Sequence, residues 1–235
     1  MENSVRVLST LALAGAIRAL ADTYQAKSGA RIDADFSPTV RLLERLKQGE
    51  SADVLILTQE GLAGLISAGT VVAESRVDLA RSWVGVAVKA GEPHPDISTE
   101  AALRAALLTA RSVAYSRLGA SGIFFAQLIA TMGIEKEINA RATVVPLGFT
   151  AERIVSGESD VAIQQLSELK QVKGIEIVGP LPLHLQTPAV FSAGRTAASR
   201  NIAASDLLLT FLSSPEATPA LLDSGLERLR QDFSQ

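Results

Sequence analysis

Residues 49–56 read GESADVLI and residues 157–163 read GESDVAI. Each copy closes a helix-like run, LLERLKQ at 42–48 and AERIVS at 151–156. Each then passes a Gly-Glu-Ser turn and opens a short apolar strand. A phrase that recurs with its surroundings constrains the fold more than any single residue does, because it implies two copies of one supersecondary unit.

The rest of the chain bears out that reading of its pattern. VRVLS (5–9) precedes a helical stretch near 13–28, where Ile17, Leu20, Ala21 and Tyr24 share one face. RIDADF (31–36), a helix over 39–48, DVLILT (53–58) and a helix over 59–68 follow. This β-α-β-α-β order predicts a parallel sheet covered by helices. WVGVAVKA (83–90) opens a new section, and after a helix near 99–109 the pattern returns. Its members are SVAYS (112–116), a helix over 121–132, ATVVPL (142–147), a helix over 150–156 and DVAIQ (160–164). The tail carries strand-like EIVGPLP (176–182) and TPAVFSAG (187–194), then helices near 203–213 and 215–224. It holds no third unit, so it must pack on an existing one. The expected architecture is α/β with two lobes, 1–82 plus 188–235 and 83–187. Crossover strands near 83–90 and 187–194 join them, with a ligand cleft between the lobes.

Composition removes several functions. With 47% hydrophobic and 20% charged residues, the 235-residue chain can bury a substantial core. A net charge of −3 leaves no basic footprint for nucleic acid. The absence of cysteine excludes disulfides, thiolate-bound zinc and thiol chemistry. With His94 and His184 the only histidines, no metal site is expected, and no cofactor. Glu2 stands where a secretory leader would be basic, and Arg18 interrupts the apolar LALAGAI. Read literally, the chain is cytoplasmic; it is periplasmic if a leader has been removed. No run reaches the roughly 18 apolar residues of a membrane span. No membrane insertion is expected, and a monomer is.

Ligands in open α/β sheets bind beyond the carboxyl ends of strands. Four such turns are rich in hydroxyl or amide side chains: LSTLA (8–12), FSPTVR (36–41), YSRLGASG (115–122) and IQQLSE (163–168). They supply the candidates Ser9, Thr10, Ser37, Thr39, Ser121, Gln164 and Gln165. The helix starts among them present free N–H groups, which suit anions. The plain alternative is that Ser37, Thr39 and Ser121 are ordinary helix caps. Arg41 and Arg117 add planar cations that pair bidentately with carboxylates, unless they are surface residues. Tyr115 either caps the ligand with its hydroxyl or packs. Trp83, His184, Glu152 and Glu168 are weaker candidates. There is no Ser-His-Asp order, Walker loop or HExxH, so no catalytic residue is assigned.

The order and spacing of VRVLSTLALAGAIRALADTYQAKSG, SADVLILTQEGLAGLISAGTV, GASGIFFAQLIATMGI, SGESDVAIQQLSEL and VFSAG resemble the molybdate-binding group of type II periplasmic solute-binding proteins. That resemblance implies two α/β lobes closing by a hinge, and an oxyanion held by neutral hydroxyls and backbone N–H groups. It places the group's first binding loop on Ser9 to Ala12, where Ala12 stands at the hydroxyl position. The second loop falls on Ser37, Pro38 and Thr39, a backbone contact on Ser121, and a late tyrosine near Gln165. The missing serine and tyrosine, with two added arginines, shift the expected ligand from molybdate to a small carboxylate. The same group includes bacterial aconitate isomerases, which shift a proton next to a carboxylate. Three functions are therefore open: an anion-binding solute receptor, for which an ABC permease would be the transport partner, an isomerase of a small unsaturated polycarboxylate, or a cytoplasmic sensor or scavenger.

Overall fold

The computed structural model describes residues 4–229. Glu2 and the outermost parts of the expected first lobe, 1–3 and 230–235, lie outside the described residues. The chain forms two compact units: the first runs to Arg81 and resumes at Val190, and the second is Ser82–Ala189.

The strands of the first unit are β1 (Ser4–Ser9), β2 (Arg31–Phe36), β3 (Val54–Thr58), β4 (Val77–Ser82), β10 (Ala189–Arg195) and β11 (Glu227–Arg228). Their order is β11-β4-β10-β3-β1-β2. Val5, Val7 and Leu8 of β1 have no exposed surface, as a strand covered on both faces requires. It pairs in parallel with β2 (Val5↔Ile32) and with β3 (Val7↔Val54). Helices α1 (Ala14–Ser28), α2 (Thr39–Lys47) and α3 (Gln59–Ser67) follow these three strands. Gly29, at φ 67°, ends α1 in the left-handed region that glycine tolerates, and its N–H donates to Gln25 O at 2.9 Å. The tail closes on this unit through α9 (Ile202–Ser213) and α10 (Thr218–Asp223). The buried Tyr24 of α1 donates its hydroxyl to Ala204 O at 3.0 Å and lies 5.6 Å from the Phe211 ring.

The second unit holds β5 (Val84–Lys89), β6 (Val113–Tyr115), β7 (Thr143–Val144), β8 (Val161–Gln165) and β9 (Ile175–Pro180). Their order is β7-β6-β8-β5-β9. Its helices are α4 (Glu100–Thr109), α5 (Ala120–Thr131), α6 (Glu135–Asn139), α7 (Glu152–Val155) and α8 (Leu166–Leu169). Val86, Leu103, Tyr115, Phe125, Ile129 and Ile163 form the centre of its main core.

The repeat now has a structural meaning. In the first sheet β1 is flanked in parallel by β2 and β3, and in the second β6 is flanked in parallel by β7 and β8. The two Gly-Glu-Ser phrases lead into β3 and β8, the equivalent third strands. Their aspartates do the same work: Asp53 Oδ2 accepts the Arg6 N–H at 2.9 Å, and Asp160 Oδ2 accepts the Arg111 N–H at 2.8 Å. Each therefore pins the entry of its strand to the entry of the neighbouring parallel strand.

Both sheets depart from the purely parallel expectation. β10 runs antiparallel to β3, β11 to β4, and β5 to both β8 and β9. β4 and β11 carry no sequence signal strong enough to be anticipated. The strand expected over 142–147 shrinks to Thr143–Val144, because Pro146 has no N–H for a ladder. The helix expected over 215–224 breaks into a 3-10 turn, Pro215–Ala217, and α10. Among the described residues no helix is long and apolar enough to cross a membrane.

Candidate functional site

Both sheets reverse their strand order beside their first parallel strand, so the carboxyl ends of β1 and β3, and of β6 and β8, are their topological switch points. In the first unit the end of β1 is tied down by backbone bonds. Thr10 N donates to Ile56 O at 2.8 Å and Ser37 N to Ser9 O at 3.0 Å. Ser9, Thr10, Ser37 and Thr39 are all buried. Ser9 Oγ donates to Thr10 O at 3.0 Å, and Thr39 Oγ1 accepts the Thr58 N–H at 3.3 Å. The Thr10 and Ser37 hydroxyls have no partner among the described residues. Nor does either serve as a cap. The 3-10 turn Leu11–Leu13 that opens α1, with Thr10 at its N-cap, and α2, with Pro38 at its N-cap, both lack a side-chain cap. Their first-turn N–H groups keep their capacity to donate to an anion.

The cations here divide. Arg41 is exposed on α2 and its Nη1 lies 2.8 Å from Glu44 Oε2, a surface pair within one helix. Arg18, which the sequence reading passed over, holds its guanidinium 5.0 Å from the centre of the Phe36 ring, beside Ser37. It has no carboxylate partner among the described residues. A one-dimensional reading had no signal for it, because it sits in the middle of α1 and meets Phe36 only in the folded unit.

In the second unit Tyr115 is fully buried, edge-on to Phe125 at 5.1 Å, and its hydroxyl donates to Asn139 Oδ1 at 2.5 Å. Of the two readings open for Tyr115, this is packing. Arg117 lies over that ring at 5.9 Å and donates to Tyr115 Oη at 3.3 Å and Asn139 Oδ1 at 3.2 Å, with no carboxylate among its partners. Ser121 is 2% exposed, with no hydroxyl partner among the described residues. It is not a cap either: Gly119 holds that position of α5, without a side-chain bond. Gly122 lets α5 start against the β6 end, since a Cβ there would stand 1.5 Å from Ser116 O. The strand and helix start are thereby locked together.

At the end of β8 the two glutamines act as bolts. Gln164 Oε1 accepts from Thr150 N at 2.8 Å and Thr150 Oγ1 at 3.0 Å, while its Nε2 donates to Gly148 O at 3.2 Å. Turned so that its nitrogen rather than its oxygen faces these carbonyls, the Gln165 amide donates to Ser82 O at 3.0 Å and Trp83 O at 3.2 Å. Glu168 follows three residues after Gln165, the N-cap of α8, at capping-box spacing. Burial pushes its carboxyl up to about 7, and hydrogen bonding from the Gln165 backbone and the Gln164 amide offsets part of that rise. The neighbouring Ser167 hydroxyl is buried without a partner among the described residues. The weaker candidates stay outside: His184 is exposed in a 3-10 turn, and Glu152 is exposed on α7. A cavity of about 840 Å³ in this unit lies at the other end of β8, lined by Val88, Ala102, Ala106, Arg111, Asp160 and Val161. Of its charged lining, Arg111 is paired with Asp160 at 2.8 Å, and Lys89, Glu92 and Asp96 stand on the same rim.

Two α/β units of matching parallel core, each presenting hydroxyls of largely buried residues and uncapped helix starts at its switch point, define a type II periplasmic-binding-protein fold. The family described as bacterial extracellular solute-binding protein matches residues 5–227, and the chain belongs to it. It is 35% identical over 230 residues to an aconitate isomerase of a Pseudomonas species, covering 95% of this chain and 87% of that one. Among solved structures it is similar to the periplasmic molybdate-binding protein of Azotobacter vinelandii: TM-score 0.81, 17% identity, 96% of this chain and 100% of that one. The sulfate-binding protein of Mycobacterium tuberculosis shares the fold at TM-score 0.77 and 16% identity, over 98% of this chain and 88% of that one.

Proposed function

We propose that this protein binds a small carboxylate anion through the strand-end clusters of its units. The observation that carries the reading is the set of hydroxyls on the buried residues Thr10, Ser37 and Ser121, unpartnered among the described residues, open to solvent and set at helix starts that no side chain caps. Neutral donors of this kind suit an anion, and Arg18 and Arg117, which lack carboxylate partners among the described residues, supply the charge that a carboxylate recruits. The aconitate isomerase relative points to the same ligand chemistry. Calorimetry with trans-aconitate, molybdate and a neutral sugar tests it. Tight binding of trans-aconitate is expected, and binding of the sugar alone would end the proposal. Replacing Arg117 or Arg18 by alanine should weaken carboxylate binding by roughly 10- to 100-fold each, and Arg41→Ala much less.

The second reading is catalytic, favoured by identity to an isomerase along almost the whole chain. A 1,3-proton shift requires a group that accepts a proton from one carbon and returns it to another, with cations stabilising the charge that develops. Ultraviolet monitoring of cis- and trans-aconitate at high protein concentration separates the readings, since a pure receptor leaves the ratio unchanged. An ABC permease partner belongs to the receptor reading, and co-purification with a membrane permease would support it.

A further inference from the structure

We propose that Glu168 couples anion binding at the β8 end to uptake of one proton, so that the ligand-bound protein carries Glu168 as the carboxylic acid. The inference rests on the anion reading above. Its basis is geometric. Glu168 is 7% exposed and stands on the turn that continues β8, beside Gln164, Gln165 and the Ser167 hydroxyl, unpartnered among the described residues. Helix α8 packs on β5, β8 and β9, and its Leu169 shares a core with Ile154 of α7, whose Glu152 is exposed and whose Arg153 is paired with Glu158 at 3.0 Å. β8 carries no charged residue, β5 only Lys89 and β9 only Glu176. The register pairs Val84 with Gln165 near Glu168, whereas Lys89 pairs with Ile175 and Glu176 with Val88 at the far end of the sheet. At strand spacing that is on the order of 15 Å away. Glu176 is occupied with His94 at 2.9 Å, and Lys170, just past α8, is exposed.

No cation therefore compensates Glu168 from the elements packed against it. Hydrogen bonds from the Gln165 backbone and the Gln164 amide are what favour its charged form, and burial opposes them. An anion arriving at the end of β8 adds a second negative charge to a dry site, which shifts the balance further toward the acid. The protonated carboxyl also gains an O–H donor, which an anion can use and a carboxylate cannot supply.

The test is calorimetry of trans-aconitate, with molybdate as a second probe, from pH 6 to 8.5 in two buffers of different ionisation enthalpy. Proton uptake should rise from near zero at pH 6 toward about one per ligand above pH 8. Affinity should fall about tenfold per pH unit above neutrality. Glu168→Gln should bind both probes with no proton uptake and a flat pH profile. A carbon-13 titration of the glutamate side chains in the wild-type protein, free and with trans-aconitate, reads the same event without the variant. Binding by the wild type with no proton uptake, or uptake that survives in Glu168→Gln, overturns the proton linkage and leaves the anion reading standing. Absence of anion binding at every pH ends both.

Discussion

The residues that shape the strand ends are mostly those with no freedom to change. Gly122 is the sharpest case, since any Cβ meets the Ser116 carbonyl at 1.5 Å. Gly122→Ala should lower stability by roughly 3 kcal/mol in urea denaturation, because backbone rather than a side-chain tip must move. Gly119, three positions earlier, has nothing within 4 Å of its would-be Cβ and an ordinary φ of −92°. Gly119→Ala should stay within about 0.5 kcal/mol of wild type. Glu168 makes a pH prediction with a definite sign. Its folded carboxyl titrates at about 7, above the ordinary 4.5, so folding favours the protonated form. Its contribution is fully present below about pH 4.5 and is lost as pH rises through 7. The loss amounts to roughly 3 kcal/mol if burial is complete. Glu168→Gln should therefore be more thermostable than wild type at pH 8, with the difference vanishing near pH 4.5 in scanning calorimetry.

At the level of elements, short helices and two-residue strands survive here because side chains finish what backbone ladders leave open. Gln164 illustrates this: one buried amide satisfies Thr150 N and Thr150 Oγ1 and donates to Gly148 O, holding the α7 approach to β8. Gln164→Leu keeps the volume but orphans a buried N–H, and should cost about 2 kcal/mol or more. Arg141 does a similar service for α4, donating from Nη2 to Leu107 O at 3.0 Å and Leu108 O at 2.6 Å near its carboxyl end. On α2, by contrast, the Arg41–Glu44 pair is exposed on both sides. Arg41→Ala should shift stability by no more than about 0.5 kcal/mol, as surface pairs do.

For the whole molecule, the contrast between contiguous and discontinuous units makes the prediction. All five strands of the second sheet lie within Ser82–Ala189, together with its cores. A separately expressed 82–189 fragment should fold cooperatively by circular dichroism and urea titration. A 1–81 fragment should not, because β10 stands between β3 and β4 and arrives only after residue 188. The two α/β units and the hydroxyl-rich strand ends were legible in the sequence. Hydrophobic periodicity and turn chemistry are local, and the Gly-Glu-Ser phrase repeats with the aspartate that each third strand needs. What only the tertiary structure decided are features set by contacts distant in the chain. These are the antiparallel insertion of β5 and β10, the burial of Tyr115 against Phe125, and the placement of Arg18 over Phe36. Glu168 belongs with them in part: the packing of α8 on β5, β8 and β9 strips it of water, while the hydrogen bonds that oppose that effect come from its sequence neighbours Gln164 and Gln165.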